Sequence, residues 1–125
     1  AEGVFLAAQF GAAPRPFAQL VVPLTPGAVE LADASGFAGI ALTVAGIGEY
    51  RLLLEAYGQE PGTWFAAPFN TGAEAAEIRL PFSAFASAGD MTGPDLAVLR
   101  ALRIELRGVP ADTAWLRLGD LGFYR

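Results

Sequence analysis

The chain has no cysteine, no histidine and no lysine; all 8 of its basic residues are arginine. Each absence removes chemistry. Without histidine or cysteine, no Ser-His-Asp or Cys-His nucleophile system forms within the chain, nor a zinc site of the usual Cys/His kind. Without lysine there is no Schiff base and no Ser-Lys pair. Lack of cysteine also leaves the redox compartment open. Long apolar runs are missing too. Although 54% of the residues are hydrophobic, none of the runs reaches the ~18 residues of a membrane-spanning helix. Positive charge is scarce, with 8 basic against 13 acidic residues and a net charge of -5. That balance disfavours nucleic acid and anionic membrane surfaces as partners.

The only methionine is Met91, and Ala1-Glu2-Gly3 does not open a charged and then apolar leader. The expectation is a chain processed at its N-terminus, or a module of a larger protein. Arginine used throughout in place of lysine fits a GC-rich genome. A length of 125 residues predicts one domain. Such a domain buries roughly two-thirds of its unfolded surface, so one core suffices without disulfides or metal.

What is present is a period of two. In the stretch 36–58, Ile40, Leu42 and Val44 alternate with Ala41, Thr43 and Ala45. Beyond the glycines, Tyr50, Leu52, Leu54 and Ala56 alternate with Arg51, Leu53, Glu55 and Tyr57. Alternation means strand, because successive side chains point to opposite faces. Gly46-Ile47-Gly48 predicts a tight turn, so that 36–58 reads as an antiparallel hairpin. Further strands are predicted at 4–10, 17–24, 63–69, 78–82, 102–107 and 114–124. Pro68 marks the 63–69 strand as an edge or a strand end. Gly/Pro turns are predicted at 11–16, 25–27 and 59–62, with loops at 86–94 and 108–113. A helical turn is predicted at 73–77, a short helical piece at 83–85, and a cap from Asp95 ahead of Leu96. Many short strands with no long helix predict an all-β fold, an antiparallel β-sandwich or jelly roll. Its core is predicted from Ile40, Leu42, Tyr50, Leu52, Leu54, Phe69, Ile78, Leu80, Phe82, Leu102, Ile104, Leu106, Leu116 and Leu118.

Several segments in order resemble the complex I intermediate-associated protein family, a branch of the galactose-binding-domain-like jelly rolls. They are Phe37 through Leu54 with its Gly-Ile strand, glycine turn and Tyr50-Arg51-Leu52, then Phe69. Next comes Ile78-Arg79-Leu80-Pro81-Phe82-Ser83-Ala84-Phe85, and last Leu102 to Leu106 with Leu116 to Tyr124. The chain departs at Ala75-Ala76, where the family carries a tryptophan. The resemblance implies a jelly roll whose open concave sheet face binds sugars or proteins. Similar domains serve as assembly factors and as modules appended to bacterial enzymes.

Four groups of residues are candidates for function. The first is the charged faces of three strands: Arg51 and Glu55; Arg103, Glu105 and Arg107; and Arg117. On one sheet face they would form an arginine–glutamate lattice, with planar forks for vicinal hydroxyls and carboxylates that accept from them. A solvated face with cross-strand ion pairs explains the same pattern. The second is Trp64, Trp115 and Tyr57, opposite the core face. An aromatic beside charges suits a sugar, while covering a second layer or a sheet edge is the structural alternative. The third is Glu55 with Glu105, a carboxylate pair of the kind glycoside hydrolysis uses. The fourth is Asp120, which matches a position near the closing strand where jelly-roll modules hold a structural calcium ion; no other cofactor is expected. Gly46-Ile47-Gly48 feeds a strand rather than a helix, so it is a turn and not a phosphate loop.

These observations together predict a non-catalytic binding domain. Its ligand would be a carbohydrate, held through Arg51, Glu55, Trp64, Arg103, Glu105, Trp115 and Arg117. The alternative is a protein–protein assembly or scaffold domain, and a small glycan-active hydrolase comes third.

Overall fold

The computed structural model describes residues 4–9, 17–24, 31–60, 64–87, 93–107 and 113–125, with side chains from residue 19 onward except 23, 107, 113 and 114. Among the described residues eight strands run in chain order: β1 Val4–Gln9, β2 Phe17–Pro23, β3 Gly39–Ile47, β4 Glu49–Ala56, β5 Phe65–Phe69, β6 Ala76–Pro81, β7 Leu99–Arg107 and β8 Thr113–Tyr124. They form two four-stranded sheets, ordered β1-β8-β3-β6 and β2-β7-β4-β5. Every pairing is antiparallel. This is the all-β sandwich that the alternation predicts. Among the described residues, no helix is long and apolar enough to cross a membrane.

The core lies between the sheets. Ile40, Leu42, Val44, Leu80, Leu116 and Leu118 of the first meet Tyr50, Leu52, Leu54, Phe65, Phe69, Leu102, Ile104 and Leu106 of the second. All are buried at the positions that the period of two assigns inward. Of the predicted core, only Ile78 is half-buried, because β6 is the outer strand of its sheet. Pro68 is exposed on β5, which edges the second sheet, and Pro81 ends β6. A proline cannot donate to a ladder, so both stand where no ladder hydrogen bond is lost.

The hairpin expected at 36–58 does not form. β3 pairs with β6 and β8, and β4 with β5 and β7, so the two strands belong to different sheets. Gly48, at φ 143°, is the one residue between them. That conformation is open to glycine and strained for other residues. The chain thus turns from sheet to sheet and keeps both apolar faces on one core. Tyr50 closes the corner: its hydroxyl donates to the Trp115 carbonyl of β8 at 2.8 Å. Gly46 makes room, since a Cβ there would collide with the Tyr50 hydroxyl and the Trp115 carbonyl.

Two irregularities re-aim side chains. Between Leu42 and Val44, β8 sets Gly119 and Asp120 against the single Thr43. This bulge shifts the alternation, so Leu116 and Leu118 are followed inward by Leu121 and Phe123. A second shift pairs Glu55 with Ala101 but Ala56 with Leu99, leaving Arg100 as the extra residue. The helical turn expected at 73–77 is absent; β6 begins at Ala76. The predicted 102–107 strand starts earlier, at Leu99, after a 3-10 turn over Leu96–Val98. Asp95 caps that turn as expected, accepting from the Ala97 N–H at 3.2 Å. The piece expected at 83–85 is a 3-10 turn over Phe82–Ala84. The turns and loops expected at 11–16, 25–27, 61–62, 88–92 and 108–112 lie outside the described residues.

Candidate functional site

The outer face of the second sheet is built row by row from cross-strand partners. Arg51 on β4, Glu105 on β7 and Gln19 on β2 stand opposite one another in one row. Ala66, Leu53, Arg103 and Val21 form the next. Glu55 and Ala101 follow in the third. Leu52, Leu54, Leu102, Ile104 and Leu106 point into the core between them. Alternation therefore places the polar positions of three strands together on the outside.

The polar groups pair in a checkerboard. Arg51 Nη2 meets Glu105 Oε2 at 2.9 Å. Arg103 reaches diagonally to Glu55, Nε to Oε1, at 2.8 Å. Gln19 joins the two pairs: its Nε2 donates to Glu105 at 3.4 Å, and its Oε1 accepts from Arg103 Nη1 at 3.3 Å. Trp64 covers one corner, with the Arg103 guanidinium 4.8 Å from its ring centroid. The indole N–H donates to the Gln59 carbonyl at 3.1 Å, which fixes the ring. Beneath these groups the floor is apolar. Leu53 is only 6% exposed and Ala101 2%, although both point outward. Glu105 is 4% exposed and is the one buried charged residue among those described.

The expected site residues divide in two. Arg51, Glu55, Trp64, Arg103 and Glu105 come together on this face. Trp115 and Arg117 do not. They lie on β8 of the first sheet, opposite Ile47 and Ala45 of β3. Because Leu116 and Leu118 face the core, Trp115 and Arg117 point outward on the far side of the molecule. The period of two told which way they face but not which sheet they belong to. The Arg107 side chain lies outside the described residues. Gln19 was missed, although its signal was there: a polar side chain beside Leu20 and Val22 in a predicted strand.

Asp120 is exposed on the β8 bulge, also in the first sheet. Among the described residues, no group of three or more histidine, cysteine, aspartate or glutamate side chains could hold a metal ion. No such carboxylate cluster therefore stands at Asp120 among the described residues. In the register Glu105 stands opposite Arg51 and Glu55 opposite Ala101, two rows away, and each carboxylate is engaged by an arginine.

A two-sheet antiparallel jelly roll with an outward polar face is the class that fold and site define. Among solved structures, the chain is similar to the family 11 carbohydrate-binding module of the cellulosomal cellulase Lic26A-Cel5E of Clostridium thermocellum. The TM-score is 0.67 at 13% identity, over 99% of this chain and 83% of that one. It is also similar to the family 11 module from Clostridium thermocellum in complex with a β-1,3-1,4-mixed-linked tetrasaccharide, with TM-score 0.65 at 14% identity, over 99% and 84% of the two chains. A family 30 carbohydrate-binding module gives 0.58 at 12% identity, over 84% and 68%. At such identities the likeness is one of fold. No protein-family model matches the chain, and no curated protein matches it in sequence. The resemblance to the complex I intermediate-associated proteins thus has its jelly roll found, while its family has no match.

Proposed function

We propose that the chain is a non-catalytic carbohydrate-binding domain. Its ligand lies on the outer face of the second sheet, against Arg51, Glu55, Arg103 and Glu105, with Gln19 and Trp64 at the margins. The observation that carries this reading is the checkerboard itself, whose carboxylates are shielded while its guanidiniums stay open to solvent. Charges as shielded as Glu105 cost desolvation, and apolar residues of similar volume serve stability as well or better. A need for recognition accounts for charges that stability does not require. Sugar hydroxyls donate and accept, while guanidinium only donates and carboxylate only accepts. Alternating signs therefore offer both functions across a short span, without a net field. The likeness in fold to carbohydrate-binding modules, one of them holding a mixed-linked tetrasaccharide, supports the same ligand class.

The binding is expected to be weak, since an open face buries little of a ligand. Isothermal titration with the β-1,3-1,4-mixed-linked tetrasaccharide, cellotetraose, xylotetraose and mannotetraose tests the reading. At least one is expected to bind, and Gln19→Ala, which unfastens Arg103 from Glu105, is expected to weaken that binding severalfold. Binding to none of the four, or an affinity indifferent to Gln19→Ala, would contradict it.

A further inference from the structure

Resting on the carbohydrate reading, we infer that Tyr57 is the stacking platform of this face. With Arg100 against its ring, it forms a further subsite for the same neutral oligosaccharide. A sugar stacks by laying C–H groups on an aromatic face, and that face must be open. Trp64 is half-buried with Arg103 against its ring. Trp115 is on the other sheet. Tyr57 is 63% exposed, the most exposed large apolar side chain among the described residues. It is the first residue beyond β4, after the buried Ala56, and its N–H bond to the Val98 carbonyl carries the Ala56–Leu99 pairing one step further, which turns its side chain outward on the same side as Glu55.

The main chain that carries the ring is held, its N–H donating to the Val98 carbonyl at 2.9 Å. The Arg100 guanidinium lies 5.6 Å from the ring centroid. Arg100 is the extra residue of the β7 bulge, and bulges re-aim side chains beside sites. Its Nε is buried and has no hydrogen-bond partner among the described residues. Among the described residues no carboxylate pairs with Arg100 as one does with Arg51 and with Arg103. A cation against one face of the ring leaves the other for a ligand, and a main chain already held loses less freedom on binding. From Arg51 to its end at Ala56 the strand covers roughly 16 Å at ~3.3 Å per residue, and Tyr57 lies one residue beyond. That length suits several linked sugars rather than one.

The test compares wild type, Tyr57→Ala and Tyr57→Phe by titration with the mixed-linked tetrasaccharide, cellotetraose and cellobiose. Tyr57→Ala is expected to weaken tetrasaccharide binding tenfold or more and to change cellobiose binding less than twofold. Tyr57→Phe keeps the ring and is expected to stay within twofold of wild type. In the wild-type protein, the Tyr57 ring protons are expected to shift in NMR spectra when the tetrasaccharide is added, a readout independent of any variant's folding. Tetrasaccharide binding unchanged in Tyr57→Ala, an equal loss for cellobiose, or unmoved ring protons would overturn the subsite and leave the carbohydrate reading standing. A wild-type protein that binds none of these probes would overturn the subsite, and one that also binds neither xylotetraose nor mannotetraose would overturn both.

Discussion

Tyr50 shows how much one side chain decides. It is stacked on Phe69 with ring centroids 5.3 Å apart, and its hydroxyl donates across the core to β8. Burial pushes that hydroxyl up to about 12 from its ordinary value of 10.0. The folded state therefore holds the proton more tightly than the unfolded chain does. The stability from this group is complete below pH 10 and falls as the pH rises towards 12, by ~1.4 kcal/mol per pH unit. Tyr50→Phe is expected to cost about 1–2 kcal/mol at pH 7, because the Trp115 carbonyl loses its donor. It is also expected to lose less stability than wild type between pH 10 and 12. Urea unfolding of both proteins at pH 7, 10 and 11.5 checks both statements. The inward position of Tyr50 was legible from its alternation with Arg51. Its hydrogen bond was not, since Trp115 is 65 residues away in the chain.

Elements show where a sequence pattern stops being informative. The period of two assigned inward and outward residues correctly on β3, β4, β5, β7 and the start of β8, and Pro68 marked an edge. Partners were another matter. Gly46-Ile47-Gly48 is as good a signal for a hairpin as for a crossing between sheets. What decides is whether the next strand finds its neighbours nearby, and those neighbours, β5 and β7, come later in the chain. The same ignorance placed Trp115 and Arg117 beside Arg51. The crossing depends on Gly46, where the Tyr50 hydroxyl and the Trp115 carbonyl occupy the space of a side chain. Gly46→Ala is expected to destabilise by about 1–3 kcal/mol through overpacking. In a double-mutant cycle with Tyr50→Phe, the two losses are expected to sum to more than the double variant loses, because removing the hydroxyl relieves part of the clash. Strict additivity would place the strain elsewhere. Leu52, fully buried at the centre of β4, probes the same register. Leu52→Ala is expected to cost roughly 2–5 kcal/mol in the same denaturation experiment.

For the whole molecule, the central claim is that a jelly roll keeps a checkerboard of charge, its carboxylates shielded, for recognition rather than for stability. The sequence showed charges of both signs on alternating strands, which is as far as composition and spacing reach. It could not show that Glu105 is nearly sealed, because that depends on Arg51, Gln19 and Arg103 arriving from three strands. This burial changes what single substitutions report. Arg51→Ala removes the charged hydrogen bond to Glu105 while Gln19 still donates to that carboxylate, and is expected to cost about 1–3 kcal/mol, above an exposed pair. Such a loss would say nothing about recognition. Replacing both partners separates the two roles. The most direct measurement is therefore on Arg51→Met/Glu105→Leu, with urea unfolding and glycan titration on the same preparation. The account predicts stability within about 1 kcal/mol of wild type or above it, as for other buried pairs replaced by apolar residues, together with at least a tenfold loss of tetrasaccharide affinity. A double variant that loses several kcal/mol of stability, or that binds the tetrasaccharide as wild type does, would contradict it.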